Sequence, residues 1–151
     1  MTSGKVGTDD FYAGLSEEVR RELAGHGRAV RVPAGTALVE AGTSPKELMV
    51  LNSGSAETFV MVAGKPRSLG IARAGKVFGL HSMLTESPPI VRVTCLEECE
   101  VTFLPKDSFL QLLERNPPMC FAIIQVLSSD LAAADRVIRK FGRGSPAAAR
   151  P

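Results

Sequence analysis

Side chains able to do chemistry are scarce in this chain. Two histidines, His26 and His81, and three cysteines, Cys95, Cys99 and Cys120, are all the imidazole and thiol that 151 residues contain. His26 stands between Gly25 and Gly27, where a helix should stop, and reads as a helix-end or solvated side chain. No nucleophile stands at a recognisable spacing from a base, so a Ser–His–Asp arrangement has no support. Cupin-type metal chemistry needs two or three histidines and a carboxylate together, and two scattered histidines do not supply them. Cys95 and Cys99 form a CxxxC pair in a β-like run. Four positions along one strand is an even step, which puts both thiols on one face. An iron–sulfur cluster wants four ligands, more than this chain holds. The thiols therefore read as buried apolar groups in a reducing cytoplasm, with a redox pair as the open alternative. Gly70, Gly75 and Gly79 do not make a GxGxxG loop between strand and helix and read as turns. No catalytic residue and no metal ligand is assigned, and the expectation is a protein that is not an enzyme.

Positioning elements come next. The chain is 44% hydrophobic with a mean hydropathy of +0.09, enough to bury one domain's core. Its 18 Lys+Arg against 16 Asp+Glu leave a net charge of +2, too balanced for a protein that coats nucleic acid with clustered cations. No apolar run approaches the ~18–20 residues of a membrane span. The opening MTSGKVGTDD lacks an apolar h-region, which argues against a secretory signal and for a cytoplasmic protein.

Residues 1–10 read as a flexible lead. Ser16 is placed to cap a helix that carries glutamates in its first turn and ends at Gly25 and Gly27. From Arg28 to Leu104, short apolar or alternating runs are cut by Gly, Pro, Asn and Ser. The runs are 29–32, 37–40, 47–51, 56–62, 67–72, 77–78, 90–96 and 100–103, with Ala63-Gly64-Lys65 as a hairpin tip. About eight strands at 8–12-residue intervals predict a mainly β chain, an antiparallel eight-strand roll or jelly roll with flanking helices. After Pro105 the period turns helical. A short helix runs from Lys106 to Glu114 and is broken by Asn116-Pro117-Pro118. A long one then runs over 119–141 inside a domain spanning 11–141, and the tail 142–151 reads as disordered. Ile124, Leu127, Leu131, Ala134, Ile138 and Phe141 repeat at alternating steps of 3 and 4. Such a helix either lies on its own roll or pairs with its twin. The narrow, regular stripe favours a homodimer through the long C-terminal helix.

This order of elements resembles the cyclic-nucleotide-binding domain, and more narrowly the effector-sensing half of the Crp/Fnr regulators, from about Leu15 to Phe141. The resemblance rests on VPAGTALVEAGTSPKELMVLNSGSAETFV, on AGKVFGLHSMLTESPP, which looks like the phosphate-binding cassette, and on CEVTFLPKDSFLQLLERNPPM, which looks like the last strand and the exit helices. It implies backbone N–H groups at a short helix facing a cyclic phosphate, a glutamate for the ribose, and a strand arginine for the phosphate. On that pattern the glutamate position holds Leu80 and the arginine position holds Pro89. Arg92 lies three residues beyond, an odd step that turns it to the other face. Where family members carry hydroxyls on the long helix, this chain has Ala134 and Asp135.

The pocket expected from Phe78, Gly79, Leu80, His81, Ser82, Met83, Pro89 and Ile90 is therefore a degenerate cassette. Losing a buried ionic partner costs on the order of 3–5 kcal/mol, so tight binding of cAMP or cGMP is not expected. CO-sensing members of the family use a histidine in a similar setting as an iron ligand, so His81 leaves open a haem-based gas or redox sensor. The favoured reading is a non-catalytic sensor domain with no cofactor, which leaves room for a small-molecule effector of unidentified chemistry. A ligand-free interaction scaffold is the other alternative. Complete regulators carry a winged helix-turn-helix after the long helix. This chain reads as a sensor with no direct DNA binding, or as a fragment of a longer protein.

Overall fold

A computed structural model describes residues 10–142. The leading segment and the tail expected to be disordered lie, but for Asp10 and Gly142, outside the described residues. Ser16 caps α1 (Glu17–His26), its Oγ accepting from the Val19 N–H at 3.2 Å. Eight strands follow: β1 (Arg28–Val32), β2 (Ala37–Val39), β3 (Glu47–Ser53), β4 (Ala56–Val62), β5 (Lys65–Ala72), β6 (Val77–Phe78), β7 (Val91–Cys95) and β8 (Cys99–Pro105). The six-residue α2 (Leu80–Thr85) interrupts them after β6, and α3 (Lys106–Arg115) and α4 (Met119–Gly142) close the described chain.

The strands form two four-stranded sheets in the orders β1-β8-β3-β6 and β2-β7-β4-β5, with every pairing antiparallel. The predicted eight-strand roll with flanking helices is what forms. Alternation along β3 explains how the layers stack. Leu48 and Val50 join the helices in one core with Phe11, Leu23, Phe109 and Ile123, while Met49 and Leu51 pack between the sheets with Val93 and Val101. The first sheet is thus covered on both faces, which is why Leu48 to Leu51 reads as an unbroken apolar run.

Three local readings change. The β4–β5 tip is Ala63-Gly64 alone, since Val62 pairs with Lys65, and both tip residues have positive φ (55° and 80°). That geometry suits a two-residue turn that follows the twist of the strands. Cys95 and Cys99 do not share a strand: Leu96, Glu97 and Glu98 turn the chain from one sheet to the other. Both thiols are nonetheless buried in the core between the sheets. Ile90 precedes β7 and is 68% exposed, because the two prolines before it deliver the chain to the sheet from outside.

Candidate functional site

The cassette starts where β6 pairs with β3, Phe78 opposite Met49 and Val77 opposite Val50. Gly79 then takes a φ of +96°, a region open chiefly to glycine, and turns the chain into α2. The Met83 N–H donates to Gly79 O at 2.9 Å and the Glu86 N–H to Ser82 O at 2.8 Å, which fixes the helix as a single compact turn and a half. Thr85 Oγ1 donates to His81 O at 2.8 Å, and Pro89 O accepts from the Gly42 N–H at 2.8 Å, tying the loop to the β2–β3 turn.

The predicted cassette residues do not converge on one cavity. Phe78 is buried between the sheets. Leu80 and Met83 are buried on the opposite side, in the helical core with Phe11, Ile123 and Val126. Ser82 is buried as well, Pro89 is half-buried, and His81 and Ile90 are exposed. His81 therefore lies on the outer side of α2. Arg92 is exposed on β7, with its Nε 3.7 Å from Glu40 Oε1; Pro89 lies before the strand, so the step between them does not set its face. No group of three or more His, Cys, Asp or Glu side chains able to hold a metal occurs among the described residues.

The long helix divides its apolar residues between two faces. Met119, Ile123 and Val126 are buried against the roll, and Leu127 packs against the same core. Phe121, Ile124, Leu131 and Ile138 are 74%, 57%, 72% and 46% exposed. The predicted stripe straddles the boundary: Ile124, Leu131 and Ile138 face solvent, whereas Leu127, Ala134 and Phe141 are half-buried on the roll side. Two rows of i, i+7 residues set three apart on a helix lie only about 60° apart around its axis, so spacing alone does not say which row the roll covers. Phe121, outside the predicted stripe and about 60° around the helix from Ile124, widens the exposed face.

Two side-chain contacts involving charged groups tie α4 to the roll from its midpoint on, and the sequence reading assigned neither. Lys76 Nζ, in the turn before β6, meets Asp130 Oδ1 at 2.6 Å. Arg67, from β5, lays its guanidinium over the Phe141 ring with its carbon 4.0 Å from the centroid. Register was the available signal for Arg67. A two-residue tip places it opposite Val60, on the face that α4 covers. Among the thiols, burial, and then the neighbouring Cys99, pushes Cys95 up to about 12.

With the geometry in hand, comparison with known proteins gives a consistent answer. Residues 29–116, more than half of the chain, match the model of the cyclic nucleotide-binding domain. The chain is 26% identical over 130 residues to the cyclic AMP receptor protein of Thermus thermophilus, covering 85% of this chain and 60% of that one. It thus spans about three fifths of that relative's length. Its structure is similar to the Thermus thermophilus catabolite activator protein, with a TM-score of 0.73 at 23% identity, covering 85% of this chain and 61% of that one. It is also similar to the sensor domain of the transcriptional regulator DNR from Pseudomonas aeruginosa, with a TM-score of 0.64 at 18% identity, covering 87% and 92% of the two chains. This chain belongs to the cyclic nucleotide-binding domain family.

Proposed function

We propose that this family member is a non-catalytic regulatory sensor domain that has kept the roll, the cassette turn and the long helix but not the ionic grip on a cyclic phosphate. One observation carries the reading. The position that resemblance assigns to the ribose-binding glutamate is Leu80, 3% exposed in an apolar core, and the arginine position is Pro89. Neither residue offers a charge, and the nearest cation in the following strand is outside the roll, beside Glu40. A bound monoanion there would be desolvated without a counter-charge, a loss of roughly 3–5 kcal/mol against a paired site. By mass action that is about two to four decades in affinity.

The exposed row of α4 is read as the surface of a homodimer, with cytoplasmic location and an unidentified small-molecule effector completing the proposal. Isothermal titration with cAMP and cGMP tests its central point, alongside native mass spectrometry for subunit number and retained small molecules. The expected result is no complex tighter than about 100 μM, the range reached when roughly 3–5 kcal/mol is removed from a tight site. A micromolar cAMP complex would overturn the reading.

A further inference from the structure

The effector-sensing reading leaves open what chemistry an effector would bring, and the hairpin end of the second sheet addresses that question. On the face that α4 covers, Val60 and Val62 are buried, and their cross-strand partners are Arg67 and Lys65. The Arg67 guanidinium stacks on Phe141, and its Nε is buried without a hydrogen-bond partner. Lys140 Nζ lies 5.3 Å from the centroid of the same ring. Ion pairs form elsewhere at Arg28, Arg31, Lys76, Arg92, Lys106, Arg115 and Arg139. Among the described residues no carboxylate pairs with Arg67, Lys65 or Lys140.

Buried donors are almost always satisfied, so an orphaned guanidinium N–H is an anomaly with a physical demand: an acceptor, best a charged one. The aromatic ring covers one face of the guanidinium plane and strips water from it. The parallel N–H donors along a guanidinium edge match a carboxylate or phosphate.

We infer that Arg67, clamped by Phe141 and flanked by Lys65 and Lys140, forms a binding site for a small anion bearing a phosphate or carboxylate group, between the β4–β5 hairpin and the last turns of α4. The site rests on the sensor reading and shifts the charge recognition of the roll from the cassette to β5. An anion there would touch the sheet and the end of α4 together, so its binding would bias how the helix seats.

The test is a ¹⁵N NMR titration of the full chain with inorganic phosphate, and separately acetate, at constant ionic strength, following the backbone amide signals of positions 65, 67, 68 and 140 in wild type and variants alike, with the Arg67 Nε–H signal as an additional wild-type probe. The expected result is a saturable shift of these signals with at least one of the two anions. Arg67→Gln should bind that anion at least tenfold more weakly, while Arg73→Gln, an exposed arginine in the next turn, should match wild type. Linear, non-saturating shifts with both anions would overturn the site, as would equal affinity in Arg67→Gln. Should that variant fail to fold, the wild-type titration decides alone. Calorimetric titration of the same samples with cAMP separates the two ideas: weak cAMP binding with neither anion bound refutes only this site, and a micromolar cAMP complex refutes the reading beneath it.

Discussion

Replacing Leu131 by Gln puts the proposed pairing of α4 to a quantitative test. Leu131 is 72% exposed, on the row shared with Ile124 and Ile138. Complete burial of a leucine side chain is worth roughly 1.5–3 kcal/mol, so sealing the exposed fraction against a twin helix contributes roughly 1–2 kcal/mol per chain. A two-fold interface counts it twice, giving roughly 2–4 kcal/mol per dimer. At about 1.4 kcal/mol per decade, Leu131→Gln should weaken the dimer by roughly 30- to several-hundred-fold. Gln has nearly the helix propensity of Leu, so the fold itself should lose less than about 0.5 kcal/mol. The neighbouring comparison is Ile123→Ala, at a site 5% exposed in the helical core, which should instead cost about 2–5 kcal/mol of folding stability. Sedimentation equilibrium gives the dimer constant and urea unfolding gives the stability. A dissociation constant for Leu131→Gln within threefold of wild type would refute the assignment of this row to the interface.

Other expected outcomes concern turns and thiols. Gly54→Ala should lower stability by roughly 2–4 kcal/mol, from left-handed strain plus overpacking. Gly54 has a φ of +94°, and an added Cβ would come within 2.7 Å of Cys99 Sγ and 2.8 Å of Glu98 O. A urea midpoint close to wild type would contradict that packing. At the β4–β5 tip, Ala63→Asn should stabilise by roughly 0.5–1 kcal/mol, because Ala63 has a φ of 55° and asparagine tolerates that region better; a Tm that falls would count against the turn assignment. Burial lifts Cys95 to about 12, so the folded chain holds the thiol neutral while the unfolded chain ionises it in the ordinary range. The stability from this group is full below that ordinary range and is lost as pH rises toward 12. Cys95→Val should therefore gain relative to wild type between pH 7 and pH 10.5 in reductant, and parallel stability curves would refute the cause.

Elements with a local signature were legible in the sequence. Ser16 ahead of Glu17 and Glu18 marks a helix start, and a capping hydrogen bond to the Val19 N–H is there. Glycines and prolines between apolar runs marked most strand ends to within a residue or two, since turns demand those backbones. Strand partners were not legible. β1 pairs with β8, more than 60 residues away, and no local pattern records such an encounter. The division of α4 was hidden for a related reason: a period of 3.5 identifies a stripe, but only the position of the roll says which half is already covered. Arg67 was missed because it looks like one of many surface cations until register and the Phe141 ring place it.

The cassette turn also has a structural role that does not depend on any nucleotide. Leu80 and Met83 of α2 share one apolar cluster with Ile123 and Val126 of α4 and with Phe11 and Leu15 at the chain's entry. Close-packed interiors transmit displacement, so α2 cannot shift by a fraction of a side chain without repacking the first turns of α4. Farther along, the same helix covers Val60 and Val62 of β4, and its polar attachments are the Lys76–Asp130 ion pair, whose side chains are 21% and 48% exposed, and the Arg67–Phe141 stack. An exposed ion pair is worth at most about 1 kcal/mol and a cation–π contact about 0.5–2 kcal/mol. The helix is therefore seated on the shared core at its start and on β4 and β5 toward its end. An effector need supply only a few kcal/mol of differential binding to move such a helix between two seatings. A charged group at Leu80 would sacrifice this apolar linkage, so the uncharged cassette is consistent with a helix read through packing rather than through a salt bridge.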